Sequence, residues 1–445
     1  MSKPIVAVVG RPNVGKSTLF NQIIGRRISI VHDEPGVTRD RIYADAEWLG
    51  KNFTLVDTGG IDIFSEDELV SQMRQQAQTA IETADVVVMI VDGKEGITPA
   101  DEEVANILRR TQKPVILAVN KIDAPHEEEM VYEFYGLGLG EPVSISAIHK
   151  RGLGDLLDEI VAHFPDHEGE EDYDDIIKIA VVGKPNVGKS SLVNAILGEE
   201  RVIVSDIPGT TRDAIDTPFE LNGQKYLIID TAGIRRKSRI NQSLERYSVI
   251  RALSAIRRCD VALIVIDANE EATEQDAKIA GLVHDEGKAA ILVMNKWDMI
   301  EKDTNTIYEY QRRLYNELSF MLHAPNIFIS AKTGQRVNRV IDLVNHVYRQ
   351  YTSRISTGVL NDCIADAVIT TEPPTDKGRQ LKIYYGTQVS IKPPTFVLFV
   401  NDPKLMHFSY ERYLENYFRK TLGLDNTPIR MIVRQREGKR GGREL

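Results

Sequence analysis

One eight-residue pattern occurs twice in this 445-residue chain, and the second copy follows the first by 173 residues. The pattern is Gly-x-x-x-x-Gly-Lys-Ser, at residues 10–17 and again at 183–190. The same spacing relates a Thr-Arg-Asp segment at 38 to one at 211, and Asp57 to Asp230. A chain of this length is too long for one ordinary core, so the repeat predicts two copies of one domain followed by a smaller unit.

Glycines at the two ends of the pattern allow backbone N–H groups to surround a phosphate where a helix begins. The lysine is expected to reach the β- and γ-phosphates of a nucleotide, and the serine to ligate magnesium. The alternative is a glycine-rich turn between a strand and a helix, and the repetition of the whole context argues against it. The predicted loop residues are Gly10, Arg11, Pro12, Asn13, Val14, Gly15, Lys16 and Ser17, and in the second copy Gly183, Lys184, Pro185, Asn186, Val187, Gly188, Lys189 and Ser190.

Short apolar runs alternate with helical patterns in both copies. These runs are unbroken, which is typical of strands buried on both faces. Hairpins are predicted to turn at 49–52 and at 221–224. The alternation predicts an α/β fold with two doubly wound sheets. The predicted strands include residues 6–9, 86–91, 115–119, 179–182, 261–266 and 291–294.

The base that each site accepts is predicted from Asn-Lys-x-Asp, which follows a buried strand in each copy. A carboxylate in this place can accept two hydrogen bonds from guanine, and adenine lacks that pair of donors. A later Ser-Ala segment can offer a backbone N–H to guanine O6, although alone it is nearly uninformative. The alternative is an Asn-Lys turn at a strand end, which is plausible once but not twice in register. The predicted residues are Asn120, Lys121, Ile122, Asp123, Ser146 and Ala147, and Asn295, Lys296, Trp297, Asp298, Ser330 and Ala331.

A further pair of segments is predicted to sense the γ-phosphate. Asp57 and Asp230 end apolar strands, where a carboxylate can hold a magnesium-bound water. Gly60 and Gly233 can offer a backbone N–H to the phosphate. The residues of the two segments are Asp57, Thr58, Gly59, Gly60 and Ile61, and Asp230, Thr231, Ala232, Gly233 and Ile234.

Charge is distributed unevenly along the chain, whose formal net charge is −10. Residues 355–445 carry 14 Lys and Arg against 10 Asp and Glu, whereas residues 165–175 contain seven acids and no Lys or Arg. The acidic run predicts a solvated linker. Two distant cysteines suit a reducing cytosol, and no apolar run approaches the roughly 20 residues that cross a bilayer.

The last part of the chain reads as helix, strand, strand, helix, strand. An apolar stripe of Val359, Leu360, Ile364 and Val368 follows Ser356, a candidate N-cap. Strands are predicted at 381–391, 396–400 and 429–433, and a helix capped by Ser409 ends at Gly423. This order resembles a KH module. The usual Gly-x-x-Gly clamp is missing, because residues 401–404 read Asn-Asp-Pro-Lys.

With these motifs the chain resembles, over essentially its whole length, the bacterial tandem-G-domain GTPases called Der or EngA, relatives of Era. The resemblance implies GTP hydrolysis coupled to assembly of the large ribosomal subunit. It implies GTP and GDP as ligands, and the large subunit and its RNA as partners. We expect a monomeric, cytoplasmic, ribosome-associated protein. An enzyme acting on a small substrate, a tRNA-modifying GTPase and an inactive scaffold each fit the motifs less well.

The resemblance also implies the ion ligands. Thr38 and Thr211 look like the switch threonines that bind magnesium with Ser17 and Ser190, while Asp57 and Asp230 act through water. Asn13 and Asn186 are implied to hold potassium, and the alternative is that each asparagine only shapes its loop. Ile61 and Ile234 stand where Ras-type proteins place glutamine, so slow turnover driven by positioning and electrostatics is expected.

Five segments are predicted in all. They are a first G domain at 1–165, an acidic linker at 166–175, a second G domain at 176–351, a KH-like domain at 352–436 and a basic tail at 437–445. The tail and the KH-like rim offer arginines and lysines to ribosomal RNA phosphates, and the alternative is a tail that only aids solubility.

Overall fold

A computed structural model gives the fold as two compact units. The first comprises residues 1–173 together with 238–257, and the second comprises residues 174–237 together with 258–445. Among the described residues, no helix combines the length and apolar content needed to cross a membrane. The structure describes residues 3–24, 43–57, 66–164, 176–198, 202–204, 216–229, 244–270, 272–376 and 378–436.

The first unit contains a six-stranded sheet in the order β2-β3-β1-β4-β5-β6, and only β2 runs antiparallel to its neighbour. Helices pack on both faces, so the predicted doubly wound architecture is confirmed. The strands are β1 (Ile5–Val9), β2 (Tyr43–Trp48), β3 (Lys51–Asp57), β4 (Val86–Asp92), β5 (Val115–Asn120) and β6 (Val143–Ser144). The helices are α1 (Lys16–Ile24), α2 (Glu66–Thr83), α3 (Pro99–Leu108), a 3-10 segment (Pro125–Leu137) and α4 (Leu153–Ala162).

The second unit contains a seven-stranded sheet in the order β13-β12-β11-β7-β10-β9-β8. Its strands are β7 (Ile176–Val182), β8 (Val202–Val204), β9 (Thr217–Leu221), β10 (Gln224–Ile229), β11 (Val261–Asp267), β12 (Ala289–Asn295) and β13 (Asn326–Phe328). The first-repeat counterpart of β8 falls at residues 29–31, outside the residues that the structure describes. The helices from this part of the chain are α5 (Lys189–Leu197), α6 (Leu244–Arg258), α7 (Glu274–Asp285), α8 (Thr306–Glu317) and α9 (Asn338–Tyr351), with 3-10 turns at Trp297–Met299 and Ser319–Met321.

Both predicted hairpins form. Leu49 and Gly50 have positive φ values of 49° and 77° between β2 and β3, and Asn222 and Gly223 have values of 53° and 81° between β9 and β10. Two successive residues with positive φ make the turn whose twist matches that of the flanking strands. Glycine at the second position adopts this backbone without a steric penalty.

Helix α6 packs within the first unit, although its sequence lies in the second repeat. Ile250 is buried in the apolar cluster that includes Met73 and Ala77 of α2. The Arg251 guanidinium lies 2.6 Å from the Glu82 carboxylate. The helix that follows the second predicted phosphate sensor therefore rests on the helix that follows the first.

The carboxy-terminal part has the predicted order, with one small hairpin added. Strand β16 pairs antiparallel with β17, which pairs parallel with β18, and the two long helices cover one face of this sheet. The elements are α10 (Thr357–Thr370), β14 (Thr375–Asp376), β15 (Arg379–Gln380), β16 (Ile383–Ser390), β17 (Thr395–Val400), a 3-10 turn (Pro403–Leu405), α11 (Phe408–Thr421) and β18 (Arg430–Gln435).

Two details of that prediction are wrong. Helix α11 is capped by His407, whose ring nitrogen Nδ1 accepts from the backbone N–H of Ser409 at 3.3 Å, so Ser409 lies inside the helix. Val359 is 53% exposed and does not belong to the buried stripe of α10, where Cys363 and Ala367 lie instead. The Ser356 cap is confirmed, because its hydroxyl accepts from the backbone N–H of Val359 at 3.4 Å.

Within the second unit this small domain is anchored on the domain of the seven-stranded sheet. The Lys392 backbone N–H donates to the Tyr351 carbonyl at the end of α9 at 3.0 Å, and Lys392 Nζ lies 3.3 Å from the Asp260 carboxylate. Arg430 donates to the Asp285 carbonyl at 3.2 Å. One end of the three-stranded sheet is therefore held by contacts to the ends of α7 and α9 and to the residue before β11.

Candidate nucleotide-binding sites

The first glycine-rich loop runs from the end of β1 into α1, as predicted. Gly10 and Gly15 have φ values of 151° and 100°, in the region that side chains rarely adopt. A Cβ on Gly10 would overlap the Ile90 carbonyl, and one on Gly15 would overlap the Asn120 amide. Both glycines are therefore required by close approach as well as by backbone angle.

The second loop has the same geometry between β7 and α5. Gly183 and Gly188 have φ values of 148° and 99°. A Cβ on these two glycines would overlap Val265 and Asn295, the counterparts of the contacts in the first loop. The duplication seen in the sequence is thus a duplication of backbone conformation.

The loop lysines fold back onto their own loops. Lys16 Nζ donates to the carbonyls of Gly10 and Arg11, each at 2.6 Å. Lys189 Nζ donates to Gly183 and Lys184 at 2.7 and 2.8 Å. Burial lowers the pKa of each lysine to about 8. Burial disfavours the charged form of each lysine, and a negatively charged phosphate bound at the loop would stabilise that form again.

The asparagine of Asn-Lys-x-Asp joins two loops. Asn120 Nδ2 donates to the Val14 carbonyl at 2.7 Å, and its Oδ1 accepts from the Ala147 N–H at 2.9 Å. Asn295 makes the same two bonds, to Val187 at 2.8 Å and from Ala331 at 3.0 Å. The side chain is buried in both copies. It therefore holds the phosphate loop and the Ser-Ala segment in a fixed relation, a role that the motif alone did not reveal.

Asp123 carries the first carboxylate predicted to select guanine. Its Oδ1 accepts from the Ser146 hydroxyl at 2.7 Å, and its Oδ2 accepts from Lys94 Nζ at 2.5 Å. Hydrogen bonds from Lys94 and Ser146 lower the pKa of Asp123, so it is ionised at neutral pH. An ionised carboxylate is an acceptor only, as pairing with the guanine donors requires.

Asp298 is the counterpart in the second site. A hydrogen bond from Ser330 lowers its pKa, and Lys332 and Lys302 contribute at longer range. The neighbouring Trp297 is 2% exposed and packs against Phe328 at a ring-centroid distance of 4.5 Å. The position that Lys94 occupies in the first site is held here by Asn269, which donates to Asp267.

Two aspartates that sequence reasoning missed orient the lysines of the motif. Lys121 Nζ donates to Asp92 at 2.5 Å, and Lys296 Nζ donates to Asp267 at 2.5 Å. Both lysines have positive φ, 70° and 63°, so each stands at a sharp turn after its strand. The sequence did contain a feature that could have identified them, because Asp92 and Asp267 each directly follow an apolar run, at 86–91 and 261–266.

Two further aspartates that were not predicted, Asp101 and Asp276, bind the side chain of the second residue of each phosphate loop. Arg11 lies 2.7 Å from Glu95 and 3.3 Å from Asp101, which is fully buried. Lys184 lies 2.7 Å from Glu270 and 3.4 Å from Asp276. Both buried aspartates also accept from the threonine that caps their helix, Thr98 or Thr273.

The γ-phosphate segments are described only in part. Ser17 Oγ donates to Asp57 Oδ2 at 3.0 Å, so these two predicted ligands lie together. Several predicted residues lie outside the residues that the structure describes, and so do the acidic linker and the basic tail. The site residues in this group are Thr38, Thr58, Gly59, Gly60 and Ile61, and Thr211, Asp230, Thr231, Ala232, Gly233 and Ile234.

Comparison with known proteins agrees with this geometry. A family described as 50S ribosome-binding GTPase matches residues 5–121 and 178–296. A family described as KH-domain-like of EngA bacterial GTPase enzymes, C-terminal, matches residues 354–434. GTPase Der of Acetivibrio thermocellus is 62% identical over 438 residues, which cover 98% of this chain and 100% of the relative. GTPase Der of Geobacillus thermodenitrificans is 59% identical, with coverage of 98% and 100%. The chain therefore belongs to the Der family of GTPases, enzymes that hydrolyse GTP and carry two P-loop domains and a KH-like domain.

Proposed function

We propose that this GTPase is a nucleotide-dependent switch in assembly of the large (50S) ribosomal subunit. The observation that carries the proposal is the match of both G domains to a family described as 50S ribosome-binding, together with two sites of equivalent geometry. GTP and GDP are the ligands, and the large subunit and its RNA are the partners. The protein acts as a monomer in the cytoplasm and associates with ribosomes.

Within each site, different residues bind the phosphates, bind the base and position the loops. The loop N–H groups and Lys16 or Lys189 bind the phosphates, and Asp123 or Asp298 binds the base. Asn120 and Asn295 are positioning residues, because they join the phosphate loop to the base-binding segment. The 173-residue repeat supports assigning the same roles to the residues of both sites. The domain boundaries at 165, 175, 351 and 436 are part of the same proposal.

Magnesium would be held by hard oxygen ligands in these sites. The fit is supported in the first site by the adjacent Ser17 hydroxyl and Asp57 carboxylate. Ser17 with Thr38, and Ser190 with Thr211, would bind the ion, while Asp57 and Asp230 would act through water. When bound, magnesium neutralises charge on the phosphate oxygens. The protein's own contribution is to hold the phosphates in place.

Potassium would be held by Asn13 and Asn186. Both residues are exposed, and their φ values of 64° and 65° lie in the left-handed region that asparagine tolerates. The same angles also suit the alternative that asparagine only shapes the loop. The two roles are separable by substitution, because glycine adopts this backbone without supplying an oxygen.

Sedimentation with purified large subunits tests the proposal. Full-length protein should travel with 50S particles in one nucleotide state and separate from them in another, so a GTP analogue and GDP are compared at one salt concentration. Small subunits serve as the control. Equal sedimentation with both subunits, or none in either nucleotide state, would contradict the proposed function.

A further inference from the structure

The three-stranded sheet of the KH-like domain has one covered face and one open face. Phe396, Leu398 and Val400 of β17 point into the core beneath α10 and α11. Because side chains alternate along a strand, the residues between them belong to the opposite face. That open face is not the groove in which KH modules use their Gly-x-x-Gly clamp, and at the place expected for the clamp this chain has Asn-Asp-Pro-Lys at 401–404.

Aromatic rings and arginines gather on the open face. Register places Tyr385 of β16 opposite Phe399 of β17, and Phe399 opposite Arg434 of β18. The rings of Tyr385 and Phe399 are stacked, with centroids 4.5 Å apart and planes 18° apart. At the adjoining bulge of β16, the Arg436 guanidinium lies over the Tyr384 ring at 5.0 Å.

These side chains are open to solvent. Tyr384 is 46% exposed and Tyr385 is 41% exposed, and Arg434 and Arg436 are also exposed. Phe399 is half-buried between them. The register assigns six further residues to this face, none of them acidic: Thr387, Ser390, Thr395, Val397, Arg430 and Ile432. Thr395 and Val397 are buried, so the face is open at the end that carries the aromatic rings. We call this surface the aromatic face and define it by Tyr384, Tyr385, Phe399, Arg434 and Arg436.

We propose that the aromatic face binds single-stranded RNA by stacking unpaired bases on its rings. Aromatic side chains on an open sheet are one established means of binding unpaired bases. Stacking stabilises the complex whichever base is stacked, because every base has a flat aromatic face. Arg434 and Arg436 lie beside the rings, where they can neutralise the phosphates that join stacked bases. That the RNA is ribosomal rests on the proposed function, whereas binding of single strands does not.

A protein partner is less well matched to this surface. Its five defining residues combine two arginines with three rings, and one arginine already lies over a ring. Ile432, 39% exposed, is an aliphatic side chain on the same face, but it lies among polar and charged neighbours. The charge of the region agrees with an anionic ligand, because residues 355–445 hold 14 basic and 10 acidic residues in a chain of net charge −10. RNA supplies both features that this face would complement, planar rings and negative charge.

The test is binding of a fluorescent uridine oligonucleotide of about 12 nucleotides to the full-length protein. Tyr385→Leu and Phe399→Leu should each weaken binding about 5-fold or more, because leucine keeps the apolar volume but offers no ring. Arg434→Gln and Arg436→Gln should each lower the slope of log affinity against log salt by about 0.7. An RNA duplex of the same length should compete poorly.

The matched control is a second exposed, stacked pair of tyrosines. Tyr132 and Tyr135 in the first G domain have ring centroids 6.4 Å apart, but acids at 127–129 and 133 surround them in sequence. Tyr132→Leu should leave oligonucleotide binding unchanged. Thermal unfolding and GTP hydrolysis of the Tyr385 and Phe399 variants should match those of the wild type, which shows that they fold.

Two results would overturn the proposal. One is undiminished oligonucleotide binding by the folded Tyr385→Leu and Phe399→Leu variants. The other is equal binding of duplex and single strand with an effect of the arginine substitutions alone, which would make the face an electrostatic surface only. Sedimentation with 50S subunits is scored separately, so failure of the proposed function and failure of the aromatic face are distinguishable.

Discussion

The two G domains share their internal scaffold and differ at the rim of the base site. In both, an asparagine joins the phosphate loop to the Ser-Ala segment with bond lengths that agree within 0.1 Å. At the rim, Lys94 binds the Asp123 carboxylate in the first site, whereas Asn269 stands at the corresponding position of the second. The comparison indicates that the loop geometry is the same in both copies, while the side chain beside the base-binding carboxylate differs.

The repeat spacing shows where the two copies diverge in length. Asp57 and Asp230 are 173 residues apart, but Asp92 and Asp267 are 175 apart. The second copy is therefore two residues longer than the first between the predicted γ-phosphate sensor and the end of β11. That stretch includes α6, the helix that packs on α2 in the first unit.

The largest expected effect is the loss of guanine-nucleotide binding at one site while the other site still binds. Asp123→Asn should weaken GTP binding at the first site about 10⁴-fold and allow xanthosine triphosphate to bind, because an amide donates where the carboxylate accepted. Asp298→Asn should do the same at the second site only. Titration calorimetry should then find one tight guanine nucleotide per chain in each variant and two in the wild type. Two tight guanine nucleotides in either variant would contradict the base-selection role.

Potassium should act on both sites and depend on the loop asparagines. Replacing sodium by potassium should raise GTP turnover about tenfold, equivalent to about 1.4 kcal/mol in the barrier. Asn13→Gly and Asn186→Gly should each remove the rise at one site, since glycine preserves the loop backbone and lacks the oxygen. The Asn→Asp variants, which retain an oxygen, are the controls. Retention of the potassium effect in the double glycine variant would leave the asparagines as loop-shaping residues.

The pH dependence of nucleotide affinity should be the same in both sites. The pKa of Lys16 and Lys189 is lowered to about 8 in the nucleotide-free protein, and bound phosphate should raise it. Below pH 8 the lysines are charged in both states, so affinity is constant. Above pH 8 binding must take up a proton, so affinity should fall about tenfold between pH 7 and pH 9. Lys16→Arg should flatten the curve of the first site alone, and an unaltered curve would contradict the assignment.

The smallest effect concerns the rim difference itself. Lys94→Asn should strengthen GDP binding at the first site about two- to fivefold, because guanine no longer competes with the lysine for the Asp123 carboxylate. Asn269→Lys should weaken the second site by a similar factor. Affinities are measured by fluorescent-nucleotide titration in the Asp298→Asn and Asp123→Asn backgrounds, so that each site is observed alone. Equal affinities before and after the reciprocal swap would show that the rim does not distinguish the sites.

Most of each candidate site was predictable because its residues are contiguous. Gly10 and Gly15 are needed within a six-residue turn, and Asn120 to Asp123 directly follow one strand. Lys94, Asp92 and Asp101 were missed because they lie between the motifs and acquire their partners only when β4, β5 and α3 meet. Ser409 was misplaced because a ring nitrogen of His407, an uncommon cap, accepts the bond expected of the serine hydroxyl.

The sequence by itself determined that there are two α/β domains with equivalent phosphate loops, and it predicts a guanine-nucleotide site on each. A glycine at positive φ and a carboxylate at the end of a buried strand are local features, so a short run of residues is enough to predict them. Only the tertiary structure decided that Arg251 meets Glu82 across 169 residues, and that Tyr385, Phe399 and Arg434 share one open face. Such contacts depend on strand register and helix packing, which are set by the burial of whole faces and not by any short run of residues.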